Sequence, residues 1–116
     1  MTIAEAEFKA GDIVWVPFPF VESPRLRDRP ALVVSVQNPV NGMRLLWVLM
    51  MTSSANKGWS GDISLEDRFA ECGLRVPCLI RTAKITTVDA ARARIEGTLP
   101  ADLLAKVHRA LAELLK

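Results

Sequence analysis

The sequence contains one histidine, His108, and that scarcity removes several chemistries at once. A histidine-pair ribonuclease and any multi-histidine metal centre need residues that are absent, and a Ser-His-Asp hydrolase could draw on His108 alone. Cysteine is nearly as rare. Cys72 and Cys78, with five residues between them, match neither the paired CxxC of a zinc site nor a secreted disulfide framework, and they read as buried thiols. Long apolar runs are also missing: the longest, Leu45 to Met51, has seven residues against roughly 20 needed to cross a bilayer, so no membrane span is expected. Glu5 and Glu7 interrupt any signal-peptide core, which points to a reduced, cytoplasmic setting. Internal repeats, linkers and low-complexity stretches are absent as well.

What is present is the composition of a folded chain. Half of the 116 residues are hydrophobic and 24% are charged, enough for one compact core spanning 1–116 and too little for a two-lobed enzyme. The net charge is only +2, but it is unevenly placed. Five basic residues (Arg25, Arg27, Arg29, Arg44, Lys57) face two acidic ones between Glu22 and Lys57, and five more (Arg75, Arg81, Lys84, Arg92, Arg94) face only Asp89 between Arg75 and Arg94. Gly58 to Leu74 is acidic. Arginine outnumbers lysine ten to five, and its planar fork suits a phosphodiester. A basic surface of this kind is compatible with nucleic acid or with an ordinary mixed-charge exterior.

Periodicity outlines a mainly β protein. Asp12 to Phe20 is apolar on both alternating faces and predicts a strand buried on two sides. Pro19, Ser23 and Pro24 open a polar loop expected to run to Arg29, followed by strands over Ala31–Gln37 and Met43–Met51 separated by an Asn-Pro-Gly turn. A loop over Thr52–Ser60, a short strand near Asp62–Leu65 and two helical turns over Glu66–Cys72 follow, the turns stopped by Gly73 in a position favouring positive φ. Further strands are expected over Val76–Lys84 and Arg92–Gly97. Leu103, Leu104, Val107, Leu111, Leu114 and Leu115 then form the stripe of an amphipathic C-terminal helix, with His108 at its edge. Trp15 and Trp47 read as core residues. Five or six short strands with a terminal helix imply a small, strongly bent barrel with the helix against it.

Four segments in this order carry a specific likeness. They are Gly-Asp-Ile-Val-Trp-Val-Pro-Phe-Pro-Phe (11–20) with Arg-Pro-Ala-Leu-Val-Val-Ser (29–35), Thr52-Ser53 after the third strand, Gly-Asp-Ile-Ser-Leu-Glu-Asp (61–67), and Leu-Ile-Arg-Thr-Ala-Lys-Ile-Thr-Thr-Val-Asp (79–89) before the Leu-rich helix. Together they resemble the MazF/PemK family of toxins from type II toxin-antitoxin systems, over roughly residues 11–115. The resemblance implies an SH3-like β-barrel, a homodimer, and a metal- and cofactor-independent endoribonuclease that cuts single-stranded mRNA until a cognate antitoxin occludes the site. It also implies an active site at the positions of Arg29, Thr52 and Arg81. One departure is visible: Ala83 stands where PemK-like members carry an aspartate.

The residues support such chemistry on their own terms. Arg29 precedes a proline, which holds its backbone extended and its side chain at a fixed point of departure. RNA can be cut without metal when its own 2′-hydroxyl attacks the adjacent phosphorus. Guanidinium groups and a hydroxyl then stabilise charge on the phosphoryl oxygens, and a base removes a proton. With Ala83 unable to act, Glu22 is the candidate base, and Asp28 is expected to orient a neighbouring arginine. Arg81, in an apolar strand, needs an acidic partner such as Glu71 or a phosphate. Ser23, Arg25, Arg27, Ser53 and Lys57 are candidate RNA contacts, and Trp59 could stack a base, bind an antitoxin side chain, or pack back on the barrel. Two non-enzymatic alternatives share the barrel. CcdB-like gyrase inhibitors act through a Trp-Gly-Ile terminus, whereas this chain ends Leu-Leu-Lys; an antitoxin-binding regulator lacking catalysis is the alternative Ala83 suggests.

Overall fold

The computed structural model describes residues 7–20, 23–56 and 58–116, with only the backbone described at 18–20 and 23–27. Glu22 and Lys57, and the side chains of Ser23, Arg25 and Arg27, therefore lie outside the described residues. Six strands, β1 (Asp12–Phe20), β2 (Ser23–Val36), β3 (Leu45–Ser53), β4 (Ile63–Ser64), β5 (Cys78–Asp89) and β6 (Arg94–Thr98), form one antiparallel sheet in the order β4-β5-β3-β2-β1-β6. Shifts of register in β1–β6, β2–β3 and β3–β5 bend it into a half-barrel, as such bulges do. A 3-10 helix (Glu66–Cys72) and the C-terminal helix α1 (Ala101–Leu114) complete the mainly β fold that the sequence implies.

Burial on both faces explains the unbroken apolar character of β1. Ile13, Leu32, Leu49, Met51 and Ile80 pack with Leu103 and Val107 of α1 and with Cys72 of the 3-10 helix. The alternate residues, Val14, Val16, Ala31, Val33, Val48 and Met50, form a second cluster on the other face. Each fully buried Val, Leu or Ile contributes about 1.5–3 kcal/mol, so the sheet is anchored from both sides. Gly73 ends the 3-10 helix with φ +84°, its N–H bonded to the Ala70 carbonyl and that of Leu74 to Phe69. That is the left-handed cap expected of it.

Three expectations are corrected. The segment before Arg29 is strand rather than loop: β2 begins at Ser23 and pairs with β1 through Phe18↔Arg27 and Pro19↔Leu26. Prolines do not break this hairpin because Pro17, Pro19 and Pro30 occupy one alternate set of the register (Trp15↔Pro30, Pro17↔Asp28, Pro19↔Leu26). In that set the missing N–H would have pointed away from the partner strand. Strand β3 runs two residues further than expected and takes in Thr52 and Ser53, while β5 starts after Pro77 and continues to Asp89, where Thr86–Val88 pair with Leu46–Val48. Trp47 is not core. It is 45% exposed, although Leu49 and Met51, which share its side of β3 by alternation, are buried in the cluster that includes Leu103 and Val107. Trp15 is half-buried against the α1 side of the sheet, and His108 is exposed.

Candidate active site

A cleft of about 530 Å³ opens between five strands, β1, β2, β3, β5 and β6, and the segment 73–76 that follows the 3-10 helix. Arg29 reaches it from β2, opposite Val16 in the register, and Pro30 and Trp15 form adjoining wall. Thr52 and Ser53 enter from the end of β3. The Thr52 hydroxyl accepts a 2.6 Å hydrogen bond from the Asn56 side-chain amide, which leaves its own proton free to be donated. The Ser53 hydroxyl accepts from the Ala55 N–H at 3.2 Å, and the Ser54 N–H bonds the Pro77 carbonyl, pinning the loop after β3 to the start of β5.

Arg75 and Cys78 line the far wall, and Arg94 and Glu96 arrive from β6. They are brought in by a seam between two glycines. A Cβ on Gly97 would lie 1.9 Å from the Cys72 carbonyl oxygen, and one on Gly73 would lie 2.4 Å from the Glu96 carbonyl oxygen. Only two bare backbones can approach so closely. Asp28 faces Arg94 at 3.6 Å, and the Arg94 Nε–H donates to Glu96. The Arg94 guanidinium is held above its ordinary range first by the Glu96 hydrogen bond and then by the charges of Glu96 and Asp28. Among the described residues the cleft thus collects three guanidiniums (Arg29, Arg75, Arg94) and two carboxylates (Asp28, Glu96). Burial and the neighbouring Cys72 push the Cys78 thiol up, and it donates to the Val76 carbonyl, so it is a poor nucleophile.

Of the residues singled out from sequence, the structure brings Arg29, Thr52 and Ser53 together in this cleft. Asp28 meets an arginine, as expected, and that arginine is Arg94. Arg81 does not line the cleft. It stands two residues beyond Leu79, the partner of Thr52, and is 8% exposed. Its acidic neighbour is Asp62 at 3.9 Å rather than Glu71, because β4 pairs Ile63 with Ile80 and so sets residue 62 beside residue 81. Glu71 is held instead by Arg68 at 2.5 Å. Trp59 lies with Arg81, the guanidinium 4.1 Å from the ring centroid. Arg75, Arg94 and Glu96 are cleft residues not singled out from sequence, although the first two belong to its basic stretch.

No group of three or more His, Cys, Asp or Glu suited to a metal occurs among the described residues, and no helix there is long and apolar enough to cross a membrane.

The architecture is shared with solved toxin structures. The crystal structure of MazF from Deinococcus radiodurans (Form-I) superposes with a TM-score of 0.65 at 31% identity, over 91% of this chain and 94% of that one. The toxin in a MazE–MazF complex from the same organism (Form-I) gives 0.67 at 28%, over 97% and 98%. Mycobacterium tuberculosis toxin MazF-mt6, at 16% identity and a TM-score of 0.65 over 90% and 95%, shares the fold. No curated protein matches the chain at a significant level. The family model for the PemK-like, MazF-like toxin of type II toxin-antitoxin systems matches residues 9–115. The chain belongs to that family.

Proposed function

We propose that this toxin is an endoribonuclease that cleaves single-stranded RNA without a metal, by attack of the substrate's own 2′-hydroxyl. The observation that carries the reading is the convergence of Arg29 and Thr52 on one open cleft that also holds Arg75 and Arg94. In the reaction the 2′ oxygen bonds to phosphorus and the bond from phosphorus to the 5′ oxygen breaks. Arg29 stabilises the charge gathering on the phosphoryl oxygens as a bidentate donor, and the Thr52 O–H is a second donor to them. Arg75 and Arg94 attract the flanking phosphates.

The 2′ proton passes to a carboxylate, for which Glu22 is the candidate. Asp28 and Glu96 are each engaged by Arg94, and they serve to orient that guanidinium. The 5′ oxygen departs with a proton from solvent in the open cleft. Products therefore carry 2′,3′-cyclic phosphate and 5′-hydroxyl ends. Ser23, Arg25, Arg27, Ser53 and Lys57 extend the path for RNA. The MazE–MazF complexes of the Deinococcus relatives support a cognate antitoxin as partner. In this reading the antitoxin silences the site, and the toxin works as a cytoplasmic homodimer.

The test is incubation of the purified toxin with a long single-stranded RNA in EDTA, with end-group analysis of the fragments. Discrete fragments with cyclic phosphate ends are expected. Activity lost in EDTA and restored by magnesium would sink the mechanism, and intact RNA under every condition would favour the antitoxin-binding regulator.

A further inference from the structure

A second feature of the surface is an aromatic ring held in place before anything binds it. Trp59 is 48% exposed, at the head of a turn closed by the Asp62 N–H to the Trp59 carbonyl at 3.1 Å. Gly61 sits at the third turn position with φ +88°, the conformation a type II turn demands. The turn is fixed at both ends. The Asp62 carboxylate accepts from the Trp59 N–H at 2.7 Å, and the Thr82 hydroxyl, 1% exposed as a residue, donates to the Gly61 carbonyl at 2.8 Å. Arg81 completes the support: its guanidinium lies 4.1 Å from the ring centroid and Asp62 faces its Nε at 3.9 Å.

One face of the indole is therefore backed by a buried cation, while the residue as a whole stays 48% exposed. An exposed tryptophan that is merely packing debris would be free to rotate; this one has its backbone, its turn and one ring face fixed by separate contacts. Such a ring has already lost the conformational freedom that a stacking partner would otherwise have to remove. Unstacked bases of single-stranded RNA are the partners that a flat, preordered ring with a positive backing suits, since every base has a π-face.

We infer that Trp59 is a base-stacking platform for the RNA strand and that Arg81 is a positioning residue that holds it, rather than a donor to the scissile phosphate. The inference rests on the endoribonuclease reading above and adds a specificity-determining subsite to it. The platform adjoins the cleft: Asp62 leads into β4, whose Ser64 pairs with Leu79, and Leu79 pairs with Thr52. At about 4.8 Å per strand, Ser64 and Thr52 are roughly 10 Å apart. Trp59 lies beyond Ser64 on this side of the sheet, so the base on the ring belongs to a nucleotide flanking the scissile one, and an abasic scan locates it.

The experiment uses the whole toxin and a short single-stranded RNA whose 2′ positions are methylated, so that binding is measured without cleavage, alongside the unmodified RNA. Trp59→Ala is expected to weaken binding and raise KM roughly 5- to 150-fold, the range for one base stacked on an aromatic ring, with the saturated cleavage rate little changed. Trp59→Phe should restore most of the loss. An abasic nucleotide scanned along the RNA should cancel the Trp59→Ala effect at one position only. Arg81→Met should reproduce a weaker form of the same defect at that position, in KM rather than in the saturated rate. The inference is overturned if Trp59→Ala binds RNA like the parent, if no abasic position cancels its effect, or if it impairs only an acidic antitoxin peptide. An Arg81→Met variant whose saturated rate collapses while KM holds would return Arg81 to the phosphate. If the parent binds the methylated RNA with the Trp59 signature but never cuts the unmodified one, the endoribonuclease reading fails and the platform stands.

Discussion

Replacing Gly97 with alanine tests the seam on which the cleft is built. The new Cβ would sit 1.9 Å from the Cys72 carbonyl oxygen and 2.8 Å from its carbonyl carbon, both backbone atoms that cannot rotate aside. Relief requires the 3-10 helix and β6 to part by roughly 1 Å, at the upper end of the about 1–3 kcal/mol typical of overpacking. For a chain of this size that lowers the melting temperature by roughly 10–15 °C. The same separation moves Leu74 and Arg75 on one side against Glu96 on the other, and all three line the cleft. A displacement of that size can cost about 10²-fold in rate through misalignment alone. Thermal and urea unfolding followed by circular dichroism, with Gly58→Ala in parallel, gives the measurement. A Cβ on Gly58 meets only the Asp62 carboxylate, at 3.8 Å, and its φ is not positive, so that variant should stay within about 0.5 kcal/mol of the parent. Equal midpoints for Gly97→Ala and Gly58→Ala would refute the close approach of the two backbones.

Arg29→Lys should hold RNA binding within a small factor yet lower cleavage by about 10²-fold or more, since the ammonium keeps the charge and loses the fork; single-turnover cleavage against filter binding separates the two. Glu22→Gln should lower cleavage by roughly 10²-fold, the usual scale for a lost general base, whereas Asp28→Asn should cost less; a Glu22→Gln variant that cleaves at the parent rate would remove Glu22 from the mechanism. Asp102 of α1 is held below its ordinary 3.8, first by its hydrogen bond to Arg68, which is 2.5 Å away and also grips Glu71. A carboxylate depressed in the folded state adds stability above its unfolded value and loses it as pH falls through the depressed one, so the advantage of the parent over Asp102→Asn should be present at neutral pH and vanish in acid. Urea midpoints measured down the acid range check this, and a difference independent of pH would rule out the ion pair as its source.

The strands that could be read from sequence are those whose burial dictates pattern. Val14 and Val16 face one cluster and Ile13 the other, so β1 is apolar throughout, and Leu103 and Val107 repeat at the helical interval because α1 covers one side of the sheet. Proline misleads at the boundaries. Taken singly, Pro19 and Pro24 signal a loop, yet the register with β1 decides whether a missing N–H matters, and register is a property of two strands rather than one. Trp47 misleads in the opposite way. An aromatic in a seven-residue apolar run looks like core, and alternation puts it on the same side of β3 as the buried Leu49 and Met51, yet the core does not extend over Trp47, which remains half exposed.

The candidate site divides along the same line. Arg29 and Thr52 adjoin strongly patterned strands, and each has a local mark: a following proline for the first, the change from apolar to polar residues for the second. Arg75, Arg94 and Glu96 have no such mark. They enter the cleft because Gly73 and Gly97, far apart in the chain, let two backbones touch, and nothing in either neighbourhood announces the other. The fate of Arg81 shows how strongly pairing outweighs proximity in sequence. Glu71 is the nearer acid along the chain, but the 3-10 helix turns it toward Arg68, and the two-residue strand β4 carries Asp62 to Arg81 instead. Strand register has thus made one arginine of the expected set the backing of an aromatic ring, while two arginines from the basic stretch stand with Arg29 at the cleft.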